Sequence, residues 1–284
     1  MSLLIPATLF AIMFALGLGL PGDRLGLLRQ RSGLLLRVLL GSCLLVPLLA
    51  LLLLQLPISL GLPEPARLGI ALMAICPSAP LILRKADKAS GDAGLAAQLQ
   101  VAAALAAILS VPLMAALFTS AFSLEGWSVR PADVAAQVGT SQILPLACGL
   151  LVRRFWPAWA DRWLGRCDRL ANLLLLALAL LVLAKAGPAL LAFAQSSLLS
   201  LALMALLVLL TLVVGWWAAG SGRQERTTVP LVVSMRNPGL ALLLASSDAS
   251  RVEGLKLAIL LYLLTTVVLE IPYVRWRSSL AVLP

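Results

Sequence analysis

Residues 232–243 read VVSMRNPGLALL, and this stretch decides how the rest of the chain is interpreted. The only formal charge between positions 227 and 247 is that of Arg236, and an Asn-Pro-Gly sequence follows it directly. An isolated arginine at the centre of a bilayer costs about 2.5–3.5 kcal/mol on insertion scales. Proline lacks an N–H group and interrupts helical hydrogen bonding. The stretch therefore predicts a membrane helix that is broken near its middle, with a charge that must face a cavity, a partner or a ligand.

The composition of the chain is that of a membrane protein. Apolar residues make up 61% of the sequence and charged residues 12%, with a mean hydropathy of +1.03. Soluble domains contain about 45–50% apolar and about 25% charged residues. Several apolar runs reach the roughly 18 residues that a membrane-spanning helix needs. The sequence predicts an all-α polytopic protein in the lipid bilayer, formed by a single membrane domain over residues 1–284.

Nine transmembrane helices account for the apolar runs, at about 3–20, 34–54, 67–90 (interrupted), 93–118, 134–152, 169–193, 197–218, 227–247 (interrupted) and 254–274. Sixteen of the 22 lysines and arginines fall in one set of alternating loops and five in the other set, with Arg236 left over. The positive-inside rule then places the N-terminus outside and the C-terminus in the cytoplasm. The net charge of +10 thus belongs to short loops, so no nucleic-acid partner is expected. Short loops fit a bacterial inner membrane.

Two parts of the chain resemble each other. Gly94 opens a span that ends at Pro112, and Gly254 opens one that ends at the same distance, at Pro272. A span with a proline break precedes each of them, at CPSAP (76–80) and at RNPG (236–239). This pattern predicts inverted repeats, about 3–118 and about 134–274, with two crossed discontinuous helices. The alternative is that these prolines only kink their helices.

The two breaks are similar to known transporter motifs. CPSAP, followed by Gly91-Asp92, and residues 234–241 (SMRNPGLA) resemble the two crossing regions of the bile acid:sodium symporter superfamily. Members of that superfamily typically carry Glu-x-Gly-Met-Gln-Asn at the second crossing. Residues 13–20 (MFALGLGL) resemble its early glycine-rich helix. The resemblance implies a fold with panel and core domains and transport by alternating access.

The resemblance also implies where sodium ligands should lie, and the chain departs from the family there. The expected ligand positions are occupied by Ile82, Leu83, Ala96, Gln100, Val232 and Arg236. Aliphatic side chains offer no oxygen to a cation, and a guanidinium group repels one. Sodium coupling through the usual sites is therefore not expected.

A guanidinium group suits carboxylate, sulfonate or phosphate groups, and the N-terminus of the half-helix at Pro238 offers N–H groups to an anion. We therefore predict an organic-anion site formed by Arg236, Asn237, Ser234, Ser78, Pro80, Pro238, Gln100 and Arg84. In the alternative interpretation, Arg236 is a fixed cation that takes the place of sodium and binds backbone carbonyls. Asp87 and Asp92 are candidate proton carriers or counter-ions, because the chain has no histidine.

The predicted function is secondary transport of a small organic anion, with protons as the alternative coupling ion. The lack of histidine and of CxxC spacing predicts neither a metal site nor a cofactor. No HExxH or GxSxG motif supports an enzyme. The alternative function is that of a transport-inactive or sensor-like membrane homologue. Gly17 and Gly19 are predicted to allow close helix packing.

Overall fold

The computed structural model describes residues 4–20, 31–79, 82–122, 130–245 and 252–281, and this part of the chain is helical without a β-strand. The helices are α1 (Leu4–Gly19), α2 (Ser32–Gln55), α3 (Glu64–Ile75), α4 (Ile82–Lys88), α5 (Ala93–Phe122), α6 (Pro131–Phe155), α7 (Pro157–Ser196), α8 (Leu198–Ala218), α9 (Arg223–Ser234), α10 (Pro238–Leu244) and α11 (Leu255–Ala281).

Six of these helices are long and apolar enough to cross a membrane, namely α2, α5, α6, α7, α8 and α11. The apolar helix α1 is shorter, and α3, α4, α9 and α10 are the fragments of the two interrupted spans. The prediction of an all-α polytopic membrane protein is confirmed. The count of nine spans and the inverted repeats stay predictions.

The chain divides into two compact units, and the first comprises residues 1–32 and 135–188. Within it, α1 packs closely against α6 through two glycines. A Cβ atom on Gly17 would lie 2.8 Å from the backbone nitrogen of Leu150, and one on Gly149 would lie 2.9 Å from that of Leu18. Gly17 therefore has the packing role predicted for it. Gly19 has an ordinary contact instead, with a Leu164 methyl group 3.5 Å from a Cβ at that position.

The second unit comprises residues 33–134 and 189–284 and contains both interrupted spans. Its helices also approach closely. A Cβ atom on Gly215 of α8 would lie 3.0 Å from the nitrogen of Pro230 in α9, and one on Gly69 of α3 would lie 2.7 Å from the Cβ atom of Ala258 in α11. Because neither glycine carries a side chain, α8 packs closely against α9, and α3 packs closely against α11.

Both predicted interruptions are present in the second unit. The helix predicted over 67–90 ends at Ile75 and resumes at Ile82, and the one predicted over 227–247 ends at Ser234 and resumes at Pro238. A proline disfavours the helical conformation of the residue before it. Cys76 precedes Pro77 and has φ −92° and ψ 95°, and Asn237 precedes Pro238 and has φ −92° and ψ 94°. The residue before the proline therefore has nearly the same extended geometry in both interruptions, although α9 already leaves the helical conformation at Met235.

A third irregularity lies in α2, where Gly41–Leu45 form a π-helical turn. The N–H group of Val46 donates to the carbonyl of Gly41, five residues back, and not to that of Ser42, four residues back. Pro47 follows and has no N–H group of its own. The turn therefore leaves the Ser42 carbonyl available to another donor, and π-bulges of this kind are frequent at functional sites.

Candidate functional site

The two interruptions of the second unit contact each other through their backbones. The N–H group of Ala79 donates to the carbonyl of Met235 over 3.1 Å, and the N–H group of Asn237 donates to the carbonyl of Cys76 over 3.1 Å. Backbone groups that leave a helix inside a membrane must find partners within the protein. Each interruption thus supplies one donor and one acceptor to the other, which joins the two spans at this point, called the crossing below.

Arg236 lies at this crossing and is fully buried, with 0% of its surface exposed. Its Nε–H group donates to the carbonyl of Met73 over 3.2 Å. Nη1 donates to the hydroxyl of Ser42 over 2.9 Å and to the carbonyl of Val233 over 3.3 Å. Nη2 donates to the carbonyl of Ser42 over 3.1 Å and to that of Ala74. A guanidinium group has five N–H donors, so each of them has an oxygen acceptor within the second unit.

The acceptors around Arg236 are those that helix geometry leaves free. The last four carbonyls of an α-helix have no partner within the helix. Met73 and Ala74 belong to the last turn of α3, and Val233 belongs to the last turn of α9. The Ser42 carbonyl is made available by the π-turn of α2. Each helix C-terminus carries about half a negative charge, so these backbone dipoles stabilise the guanidinium although all five acceptors are neutral oxygens.

Ser78 and Gln100 form a buried pair that ties the first interruption to α5. The Ser78 hydroxyl donates to Oε1 of Gln100, and Nε2 of Gln100 donates back to the Ser78 carbonyl over 3.4 Å. Ser78 has a φ of 39°, in the left-handed region that non-glycine residues rarely adopt. The two predicted site residues are therefore brought together, with their polar groups directed at each other.

Asn237 and Pro238 begin the half-helix α10. Oδ1 of Asn237 accepts the N–H group of Leu240 over 3.1 Å, which is the usual geometry of an N-terminal cap. Pro238 has no N–H group to donate. Two of the first three positions of α10 thus have no N–H group left for an anion, so this terminus is a weaker anion site than the sequence predicted.

Ser234 contacts a residue that was not among the predicted site residues. Its hydroxyl donates to Oε1 of Glu270 over 2.7 Å, and Oε2 of Glu270 forms an ion pair with Nζ of Lys85. Glu270 is 1% exposed and lies in α11, whereas the Lys85 side chain is 17% exposed and lies in α4. A signal was present in the sequence, because Glu270 is the only carboxylate within the predicted span 254–274. A carboxylate within a membrane span is by default a candidate functional residue.

The remaining predicted site residues are less informative. Asp92 caps α5, because its Oδ1 atom accepts the N–H group of Leu95 over 2.9 Å. Its own N–H group donates to the hydroxyl of Thr228 over 2.9 Å. Pro80 lies outside the described residues, as do the side chains of Arg84 and Asp87, whose backbones belong to α4.

Three of the expected sodium positions carry side chains without an oxygen atom. Ile82, Ala96 and Val232 are fully buried and apolar. Sodium is a hard cation that needs several oxygen ligands, as other hard cations do. Gln100 is bound to Ser78, and the guanidinium of Arg236 is bound to the carbonyl of Ala74. Among the described residues, no group of three or more His, Cys, Asp or Glu side chains could hold a metal ion.

Together, these features define a polytopic helical membrane protein whose two interrupted spans meet beside a buried cation. A family model described as the sodium bile acid symporter family matches residues 6–214, which is more than half of the chain. The chain belongs to this family, whose members are transporters. The match includes the first interruption and ends before Arg236. No curated protein matches the chain.

Proposed function

We propose that this protein is a secondary transporter of a small organic anion that works by alternating access without sodium at the family's usual positions. Membership of the sodium bile acid symporter family supports transport. The apolar side chains of Ile82, Ala96 and Val232 support the loss of the sodium sites. The termini are proposed to lie as the loop charges predict, with the N-terminus outside and the C-terminus in the cytoplasm of a bacterial cell.

One observation carries the proposal about the cation: all five N–H donors of Arg236 are directed at oxygens of the protein itself. A substrate carboxylate would have to displace at least two of these bonds to form a bidentate pair. We therefore favour the second of the two roles considered for Arg236, that of a resident cation at the crossing. Its charge replaces a bound ion, and the helix ends stay joined throughout the transport cycle.

The same reasoning applies to the other polar residues of the crossing. Ser78 and Gln100 are bonded to each other, and the Asn237 side chain caps α10. These side chains are proposed to hold the two interruptions in place. The substrate anion is then proposed to bind a different cation, one whose N–H donors are not all bound to oxygens of the backbone.

An uptake experiment tests this function. The purified full chain is reconstituted in liposomes and exposed to radiolabelled benzoate, succinate and taurocholate with an inward sodium gradient, an inward proton gradient or no gradient. We expect uptake of at least one anion above that of protein-free liposomes, without stimulation by sodium. Uptake that requires the sodium gradient would contradict the role proposed for Arg236.

A second candidate function follows from the same geometry. Five bonds from one guanidinium group to α2, α3 and α9 could fix the crossing so firmly that transport is lost. The protein would then be a transport-inactive or sensor-like homologue. Correctly folded protein without uptake of any probe anion under all three conditions would favour this candidate.

A further inference from the structure

The most informative group outside the Arg236 cluster is the buried carboxylate of Glu270. It touches both interrupted spans: Ser234 is the last residue of α9, and Lys85 lies in α4, which follows the first interruption. Its two oxygens are used separately, with Oε1 on the Ser234 hydroxyl and Oε2 on the Lys85 ammonium group. One carboxylate in α11 therefore links the two halves of the crossing.

The two partners of this ion pair differ in their access to solvent. The Glu270 side chain is 1% exposed, whereas the Lys85 side chain is 17% exposed. Desolvating two charges costs free energy that their attraction repays only in part, so a buried ion pair is weak evidence for a role in stability. Because Lys85 is the more exposed of the two, an anion that reaches the pair would contact Lys85 before Glu270.

Among the described side chains, Lys85 is the charged group that contacts Glu270. Helix α8 and half-helix α10, which pack against α11, contain no ionisable residue. Helix α3 carries Glu64 and Arg67 at the end opposite to Met73 and Ala74, beside a separate cavity of about 330 Å³.

The other charged side chains that the structure describes on these elements are exposed or have partners, and Lys256 and Arg275 of α11 are exposed. The side chains of Arg84 and Asp87 in α4 lie outside the described residues. On α11 itself, Arg277 donates to the hydroxyl of Thr227 and to the carbonyl of Arg223 in α9. Arg226 of α9 lies over the ring of Trp216, and Lys88 of α4 is exposed. Glu225 lies in the first turn of α9, at the end opposite to Ser234.

Within α11, Tyr262 is buried two turns before Glu270, and its hydroxyl has no hydrogen-bond partner among the described residues.

We propose that Glu270 is the proton-binding site of the transport cycle and that Lys85 is the substrate-anion site that the proton uncovers. This inference rests on the proposed transport function and names its coupling ion. A proton from water adds to the Glu270 carboxylate and gives a neutral carboxylic acid. The ion pair opens, and the ammonium group of Lys85 then binds the carboxylate or sulfonate of an organic anion. One proton and one monovalent anion enter together, so the net charge of the site stays that of the closed pair.

The Ser234 hydroxyl is suited to both states of this site. A hydroxyl group can donate one hydrogen bond and accept two. It donates to the ionised Glu270 in the structure, and after rotation it accepts the O–H of the protonated acid. The carboxyl group therefore keeps a partner in either state, which lowers the cost of taking up the proton inside the protein.

Infrared difference spectroscopy of the full chain in lipid tests the proton site directly. The carbonyl stretch of a protonated carboxylic acid is followed between about pH 4 and about pH 9, first without an anion and then with benzoate, succinate or taurocholate. We expect a carbonyl band that appears on acidification and is absent from the Glu270→Gln variant. An added anion should raise the pH at which this band appears. The matched control is Asp133→Asn, which removes an exposed carboxylate that pairs with Arg130.

The uptake assay then separates the two proposals. If the wild-type protein shows proton-driven uptake and Glu270→Gln loses the stimulation but still folds, both proposals stand. If Glu270→Gln retains the stimulation, the proton site is wrong and transport stands. If no anion is transported but an anion still shifts the carboxylic-acid band, the linked proton and anion site stands and transport is wrong. A spectrum without this band, or with a band that no anion shifts, overturns the assignment of Glu270.

Discussion

Arg236 and Lys85 are two cations in the same unit of this protein, and they are neutralised in different ways. Arg236 is fully buried, and its five donors bind four main-chain carbonyls and the hydroxyl of Ser42. Lys85 is partly exposed, and its partner is the carboxylate of Glu270. Backbone carbonyls cannot be protonated at physiological pH, whereas a carboxylate can. The first cation is therefore permanently held, and the second can be released by a proton.

The comparison gives a physical reason for two charges at one crossing. A permanent cation joins α2, α3 and α9 without needing an ion from solution. A releasable cation beside the same helix ends can respond to pH and to an anion. Substitutions at the two cations and at their partners can test this distinction.

Replacing Arg236 should destabilise the protein most. In Arg236→Gln, at least three buried oxygens lose their donors, and each unsatisfied buried group costs about 1–3 kcal/mol. We expect a loss of at least about 3 kcal/mol in the free energy of unfolding, measured by thermal unfolding in detergent. The loss in the free energy of unfolding should be smaller in Arg236→Lys than in Arg236→Gln, because an ammonium group has three donors, compared with five in a guanidinium group. Arg130→Gln, which changes an exposed arginine, should stay within about 0.5 kcal/mol of the wild type.

If Arg236→Gln proved as stable as the wild type, the resident-cation role would be wrong. No second substitution should repair the loss, because main-chain carbonyls supply four of the five acceptors. This property distinguishes Arg236 from Lys85.

The Lys85–Glu270 pair should be repairable. Lys85→Met leaves a buried carboxylate without its cation and should cost about 3 kcal/mol near neutral pH. The cost should shrink on acidification, because the carboxylate then becomes a neutral acid. The double variant Lys85→Met/Glu270→Met should return to within about 1 kcal/mol of the wild type, since well-packed apolar residues often replace a buried ion pair without loss. Additive losses in this double-mutant cycle would mean that the two residues do not interact in the folded protein.

The features of the fold and of the candidate site that the sequence predicts are those with a local cause in the chain. Pro77 and Pro238 impose their restriction on the residue before them, so the positions of both interruptions were predictable. The need of Arg236 for internal partners was also predictable, because a charge within an apolar span must be compensated.

The identity of the partners depends on tertiary structure. The Ser42 carbonyl becomes available only through the π-turn of α2, and it lies 194 residues from Arg236 in the chain. Lys85 and Glu270 are separated by 185 residues. Such pairs arise from the packing of distant helices, which the hydropathy pattern of one chain does not encode. The predicted anion site, which stays a prediction, therefore included residues of the two interruptions but neither Ser42 nor Glu270.

Two serines allow a finer comparison of the cations. Ser42→Ala removes one acceptor of Arg236, and Ser234→Ala removes the hydroxyl donor of Glu270. A hydrogen bond to a charged group contributes about 1.5–3 kcal/mol, so both variants should lose about 2 kcal/mol at neutral pH. Only Ser234→Ala should change the pH at which the carboxylic-acid band appears. Ser120→Ala, at an exposed position, is the control. A shift of the band in Ser42→Ala would show that the two cations are coupled.

The smallest expected effect is that of sodium on the wild-type protein. An ion that binds only the folded state raises stability by RT ln(1 + [ion]/Kd), so a bound sodium ion would raise Tm as its concentration increases. The positions expected to bind it carry Ile82, Ala96 and Val232, and the guanidinium of Arg236 is bound to the carbonyl of Ala74. We therefore expect the same Tm in sodium chloride and in potassium chloride at equal ionic strength. A Tm that rises with sodium alone would show that a cation still binds near these helices. The site would then contain a third charge, an exchangeable sodium ion, in addition to the permanent charge of Arg236 and the releasable charge of Lys85.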